Sequence, residues 1–183
     1  MKIKQFFTQT SHLAPLPFKY CPHCGRPLQH LKCLACDYKQ YFNPAPTVTM
    51  LVCKDGNLLI GRRKNEPRKW AIPGGFIEYN ECFLETVHRE VIEETGLRVE
   101  LRGICNVMTS HVSPLVQTLV ITVLCIVIDG KETPSDELTE LKWIQNYDEA
   151  TDIAFKTDDY LINAFFNDRL PLFPIDERFV RHG

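Results

Sequence analysis

Apolar residues along the chain follow two periodicities. Residues 48–53 and 58–60 are nearly continuous apolar, β-rich runs on either side of Asp55-Gly56, which predicts a hairpin of two buried strands. Further strand-like runs cover residues 99–107, 116–128 and 138–144, with Asp129-Gly130 expected as a turn. Residues 81–95 read differently. Phe83, Leu84, Val87 and Val91 recur at helical spacing, Asn80 is placed to cap the helix, and Gly96 is placed to end it. A second amphipathic helix is expected over residues 158–169, with Thr157 as cap and Leu161, Ile162, Phe165 and Phe166 as its apolar stripe. Leu170-Pro171 ends it, and Pro73-Gly74-Gly75 makes a sharp break before the first helix. The order of strands, helix, strands and helix predicts an α+β fold with mixed sheet pairing.

Composition narrows this picture. Of 183 residues, 44% are hydrophobic and 24% charged, and 21 basic residues face 23 acidic ones, so the net charge is −2. A balance of that kind excludes disorder and gives no bulk attraction to nucleic acid or to an anionic membrane. The longest apolar stretch, residues 119–128, is half the length of about 20 that a membrane helix needs. No signal peptide is visible in MKIKQFFTQTSHLAP, so a soluble, cytoplasmic protein is expected.

The eight cysteines are unevenly spread. Cys21-Pro-His-Cys24 and Cys33-Leu-Ala-Cys36 form two knuckles joined by a short loop, whereas Cys53, Cys82, Cys105 and Cys125 are scattered singly. Paired knuckles at this spacing suit one tetrahedral Zn2+ held by Cys21, Cys24, Cys33 and Cys36. Gly25 tolerates the backbone of the first knuckle, and Asp37, in the matching place, can also adopt a left-handed conformation. A pair of redox dithiols is the alternative, and His23 is read as a bystander. Between residues 18 and 40 there are four basic residues (Lys19, Arg26, Lys32 and Lys39) and one acid, Asp37. Four thiolates on zinc leave a charge of about +1, too little for extensive phosphate neutralisation. A structural ribbon is therefore expected and nucleic acid is not. Asn43-Pro44-Ala45-Pro46 reads as the linker that follows.

The first helix carries the candidate chemistry. Glu90 lies three residues from Glu93 and four from Glu94, near the C-terminal end, where like charges repel and the helix dipole disfavours anions. Arg89 relieves part of this through Glu85 and Glu93, each four residues away. Clustered carboxylates are what Mg2+ or Mn2+ coordinates; a solvated acidic face is the plain alternative.

The flanking residues extend the pattern. From Gly75 to Leu97 the chain reads G-x5-E-x7-REV-x-EE-x-GL, with Gly75, Glu81, Arg89, Glu90, Val91, Glu93, Glu94, Gly96 and Leu97 at the fixed positions, preceded by Trp70-Ala-Ile-Pro73-Gly74. This resembles the Nudix box at every defining position. Together with the cysteine pairs and Tyr41-Phe-Asn43-Pro44, it resembles the Nudix hydrolases that carry an N-terminal zinc ribbon. The ribbon loop is short for that group, and Asp37 stands where a Gly is frequent.

The resemblance implies an α/β/α sandwich around a mixed sheet, divided as a leader (1–17), a zinc ribbon (18–42), the Nudix hydrolase domain (43–170) and a tail (171–183). It implies metal-dependent hydrolysis of a nucleoside diphosphate linked to another moiety. Glu90, Glu93 and Glu94 would be the metal ligands, with the Gly75 carbonyl as a fourth. Glu81 would support the site, and Arg89 would orient the glutamates. The general base is left open between Glu90, Glu93 and an acid of a later loop, where Asp136, Glu137 and Glu140 precede Trp143. Arg62 and Arg63 follow a strand and could reach a substrate phosphate; an exposed strand-end pair is the alternative. Trp70 is expected in the core rather than against a base, and Phe76 could go either way. No SQPWPFP-like array of the NADH-cleaving relatives follows Leu97. Pro114 lies about where ADP-ribose hydrolases carry a proline, and Pro114-Leu-Val-Gln117 is similar to FAD-hydrolysing relatives with a ribbon. ADP-ribose or a related dinucleotide is preferred, with FAD or a (d)NTP as alternatives. A binding module for nucleic acid or protein, with an inactive Nudix domain, is the rival class. The expected partner is a nucleotide-derived small molecule; a homodimer is left open.

Overall fold

A computed structural model describes residues 17–113 and 116–175. Two short strands, β1 (Leu28–Gln29) and β2 (Lys32–Cys33), pair antiparallel near the N-terminus. His30 and Leu31 turn between them with positive φ, and Gly25 has a φ of 72°. Asp37 keeps a negative φ, so the left-handed conformation expected there does not form. The knuckle after Cys36 closes without it.

The main sheet is built from β3 (Ala45–Lys54), β4 (Asn57–Arg63), β5 (Trp70–Ala71), β6 (Gly74–Phe76), β7 (Leu97–Ser113), β8 (Val116–Gly130) and β9 (Leu138–Ile144). Its order is β5-β4-β3-β8-β7, with β6 added to β3 and β9 to β4. Strands β3 and β8 run parallel and the other pairs antiparallel, so the sheet is mixed as expected. Asp55 and Gly56 both take positive φ in the predicted β3–β4 hairpin, as a tight primed turn requires. Asp129-Gly130 is not a turn. Gly130 pairs with Leu97 and Arg98 with Asp129, extending β7 and β8 to the end of the helix that precedes them. β7 also runs six residues past the predicted 107.

Helices α1 (Phe83–Thr95) and α2 (Lys156–Phe166) cover opposite faces. The period-two alternation of β3 explains this. Val48, Met50 and Val52 join Val87 and Val91 of α1, whereas Leu51 joins Leu161 and Ile162 of α2. On β4, Leu59 faces α1 while Leu58 and Ile60 face α2. The result is the α/β/α sandwich. A short 3-10 turn, Tyr147–Glu149, precedes α2.

Both helix starts differ from expectation. α1 begins at Phe83 with Cys82 as N-cap, and the Glu85 carboxylate accepts the Cys82 N–H at 2.6 Å. Asn80 instead occupies a positive-φ turn (φ 70°), and Glu81 is drawn away to Arg89. In α2 the N-cap is Phe155, and Thr157 lies buried in the first turn. Gly96 does end α1, with a φ of 71° and its N–H donating to the Ile92 carbonyl at 2.9 Å. Beyond α2, Phe173 exchanges two backbone hydrogen bonds of 2.9 Å with Ile104. Among the described residues, no helix is long and apolar enough to cross a membrane.

Candidate active site

Strand β3 holds β6 across the Val48↔Gly75 register, which lays the Pro73-Gly74-Gly75 turn against α1. The contact is close. A Cβ on Gly75 would land on the Glu90 carboxylate, and one on Gly74 would meet the Val48 carbonyl oxygen at 2.6 Å. Glycine is required at both positions for steric reasons.

Arg89 organises the helix carboxylates. Its Nε and Nη2 donate to Glu81 at 2.8 and 3.0 Å, and its Nη1 donates to Glu90 at 2.8 Å and to Glu93 at 3.1 Å. Nη2 also reaches the Phe76 carbonyl at 3.3 Å. Of the two expected partners Glu93 is met, whereas Glu85 is used as a cap and Glu81 and Glu90 bond Arg89 instead. Hydrogen bonding to Arg89, supported by Thr86, holds the Glu81 carboxyl down to about 2. Glu81 is therefore a permanent anion that anchors Arg89.

Glu94 lies deeper, only 5% exposed, and accepts the Gly74 N–H at 2.9 Å. Burial pushes its carboxyl up to about 8, and the charges of Glu90 and Glu137 add to the rise. Burial also raises Glu90. Among the described residues Glu94 makes no ion pair, and a hard divalent ion would supply its carboxylate with a cationic partner. The donor set of Glu90, Glu93 and Glu94 beside the Gly75 backbone fits such an ion. The oxygens do not yet converge, however. Among the described residues, ligand atoms lying within 4.8 Å of one another in a group of three or more are the four ribbon thiols. Arg89 Nη1 ties Glu90 to Glu93, whereas Glu94 is held separately by the Gly74 N–H.

The glutamates open into a cleft of about 620 Å3. Of the later acids, Glu137 lines it and is felt electrostatically by both Glu90 and Glu94. Asp136 points to Lys64 at 3.8 Å on the surface, and Glu140 pairs opposite Arg62 along β9; neither lines the cleft. The two arginines separate as neighbours on a strand must. Arg63 lines the cleft, stacked 4.8 Å from the Phe155 ring. Arg62 bonds Asp152 at 3.4 Å and lies over Trp70, outside the cleft. Trp70 is half-buried against the α2-side core, as expected, and Phe76 is exposed on the cleft rim. Pro114 lies outside the described residues.

Sequence reasoning missed Asp158. It lines the cleft from α2, is 5% exposed, and accepts the Ile72 N–H at 3.0 Å. Its place beside Asp159 at a helix start looks like ordinary first-turn acid enrichment, which hid it.

In the ribbon, Sγ–Sγ distances are 3.4 Å (Cys24–Cys33) and 3.7 Å (Cys21–Cys36 and Cys24–Cys36). Tetrahedral zinc with bonds of about 2.3 Å sets sulfurs ~3.8 Å apart. The four thiols thus fit that ion. The Ala35 N–H, 3.4 Å from Cys33 Sγ, is the main cause lowering that thiol to about 7.

A family model described as the NUDIX domain matches residues 43–164. Over 109 residues the chain is 35% identical to an ADP-ribose pyrophosphatase of Methanocaldococcus jannaschii, covering 58% of this chain and 64% of that protein. It is 30% identical over 145 residues to the NAD-capped RNA hydrolase NudC of Salmonella heidelberg, covering 72% of this chain and 52% of that one. The chain therefore spans between about half and just under two thirds of these relatives. A crystal structure of a NUDIX hydrolase from Nitrosomonas europaea shares the fold with a TM-score of 0.70, covering 83% of this chain and 92% of that one at 24% identity. With the family match running from the linker through most of α2, and the glutamate helix and glycine turn inside it, the chain belongs to the NUDIX domain family.

Proposed function

We propose that this protein hydrolyses the pyrophosphate bond of a nucleoside diphosphate linked to another moiety, with ADP-ribose or a related dinucleotide as substrate and a nucleoside monophosphate as one product. The observation that carries the reading is the set of glutamates of α1 packed on the Gly74-Gly75 backbone and tied by one arginine. The names of the archaeal and bacterial relatives agree with a dinucleotide-type substrate.

Glu90, Glu93, Glu94 and the Gly75 carbonyl would hold Mg2+ or Mn2+, which when bound offsets phosphate charge and lowers the pKa of a water. Arg89 holds Glu90 and Glu93 in place, a task whose loss in metal sites costs about 10–100-fold. Glu137 joins Glu90 and Glu93 as a candidate proton acceptor, because it shares their cleft. Arg63 sits between the glutamates and Asp158 electrostatically, and its buried Nε has no hydrogen-bond partner among the described residues. It is suited to donate to a diphosphate oxygen. The ribbon thiols would hold a structural Zn2+, standing in for the core that so short a segment cannot bury.

The test is a panel of nucleoside diphosphate derivatives incubated with Mg2+ or Mn2+, with products separated by chromatography. Release of a nucleoside monophosphate that stops with chelator is expected. No cleavage of any member with either ion would defeat the proposal.

A further inference from the structure

The cleft continues beyond the glutamates. Besides the glutamates and Arg63, the cleft is lined by the hydroxyl-bearing Ser110, Thr118 and Thr157, with Phe155 and Asp158. Thr118 is fully buried and donates to the Ser110 carbonyl at 3.4 Å, so its strand is fixed. Asp158 is the unusual member. A carboxyl in a site this dry costs several kcal/mol unless its oxygens are used. Among the described residues two hydrogen bonds engage them, from the Ile72 N–H at 3.0 Å and a long one from Thr157 Oγ1 at 3.4 Å. A carboxylate offers about four acceptor positions. Capacity is left on a group that lines the cleft.

We infer that this end of the cleft is the subsite for the substrate's non-phosphate moiety, and that Asp158 selects it by accepting a hydrogen bond from an N–H or O–H donor. The inference rests on the proposed hydrolysis and names what that reaction's substrate must present. Arg63 marks the border, with the diphosphate on the glutamate side and the donor-bearing moiety on the side of α2. A site built to bond a polar group rejects an analogue lacking it far more strongly than an apolar pocket rejects a missing methylene.

Two donor sources share this chemistry, an exocyclic amine of a base and a sugar hydroxyl. The test compares wild type with Asp158→Asn on ADP-ribose, its hypoxanthine counterpart and its 2′-deoxyadenosine counterpart. Asparagine keeps an oxygen for the Ile72 N–H but presents an amide donor elsewhere, so the wall stays intact. In wild type one counterpart should fall about tenfold or more in kcat/KM, the size of one hydrogen bond to a charged group. The hypoxanthine arm identifies an amine and the deoxy arm a hydroxyl. In Asp158→Asn that discrimination should collapse to about twofold. An equal loss on all three substrates, or discrimination left unchanged, would overturn the inference while hydrolysis by wild type stands. Calorimetric binding of the non-hydrolysable α,β-methylene analogues gives the same comparison without turnover. It therefore decides the subsite even if wild type cleaves none of them, the result that would defeat the proposed hydrolysis alone.

Discussion

Gly75 and Glu93 carry the sharpest consequences at the level of single residues. Adding one methyl at Gly75 would place it on the Glu90 carboxylate. Gly75→Ala should therefore cut kcat by about 100-fold, a second-sphere-sized loss, through displacement of Glu90. Circular dichroism should show little change, since β6 is only three residues long. Glu93 is more than half exposed and paired with Arg89, a contact worth about 0.3–0.5 kcal/mol. Glu93→Gln should leave the melting temperature within a degree or two but lower the rate by orders of magnitude, because an amide is a poor ligand for Mg2+. Full activity in that variant would remove the metal role assigned to Glu93. These residues were legible in the sequence because their spacing is local: one helix and one turn hold them. Glu137 could be named only within a trio, since the choice among Asp136, Glu137 and Glu140 depends on how β9 meets β4. Asp158 could not be named at all. Its hydrogen-bond partner Ile72 comes from the link between β5 and β6, far away in sequence.

Two predictions concern elements. The ribbon has two strands of two residues each, so its order depends on the four thiols. Replacing Cys21 and Cys24 together by serine should lower the melting temperature by several degrees and harm kcat less than Glu93→Gln does. Unchanged melting would exclude a structural metal there. Helix α2 makes stability depend on pH through Asp158. Burial raises this carboxyl to about 7, opposed by bonds from Ile72 and Thr157 and by the charge of Arg63, and reinforced by Asp159. In the unfolded chain it titrates near 3.9. Between about pH 4 and pH 7 the native state thus holds the extra proton, and stability falls as pH rises, by up to about 4 kcal/mol. Above pH 7 this contribution is flat. Asp158→Asn should lack the slope, which guanidinium midpoints at pH 4.5 and 7.5 would show as a difference between the two proteins. The type of each element followed from periodicity, but its ends did not. Helical spacing alone places Glu81 in α1, but its bond to Arg89 draws it out, and Asp129-Gly130 carries a turn signal that cross-strand pairing overrides.

On the scale of the whole molecule, the sandwich places one end of β3 and β6 between two sources of charge. Helix α1 brings the glutamates and α2 brings Asp158, with Arg63 of β4 between them. That convergence could not be read from composition, since the net charge is nearly zero. The α+β order and mixed sheet could be read, because strand-like runs and two helical stretches follow one another along the chain. The parallel pair at the centre also bears on how the chain assembles. Residue 45 lies opposite 118 and residue 53 opposite 126, so the floor of the cleft exists only after a very long loop has closed. Loop closure of that length is a slow step, whereas the ribbon's pairings span a handful of residues. During refolding with metal present, the thiol cluster should gain protection from alkylation well before the glutamate site gains its activity.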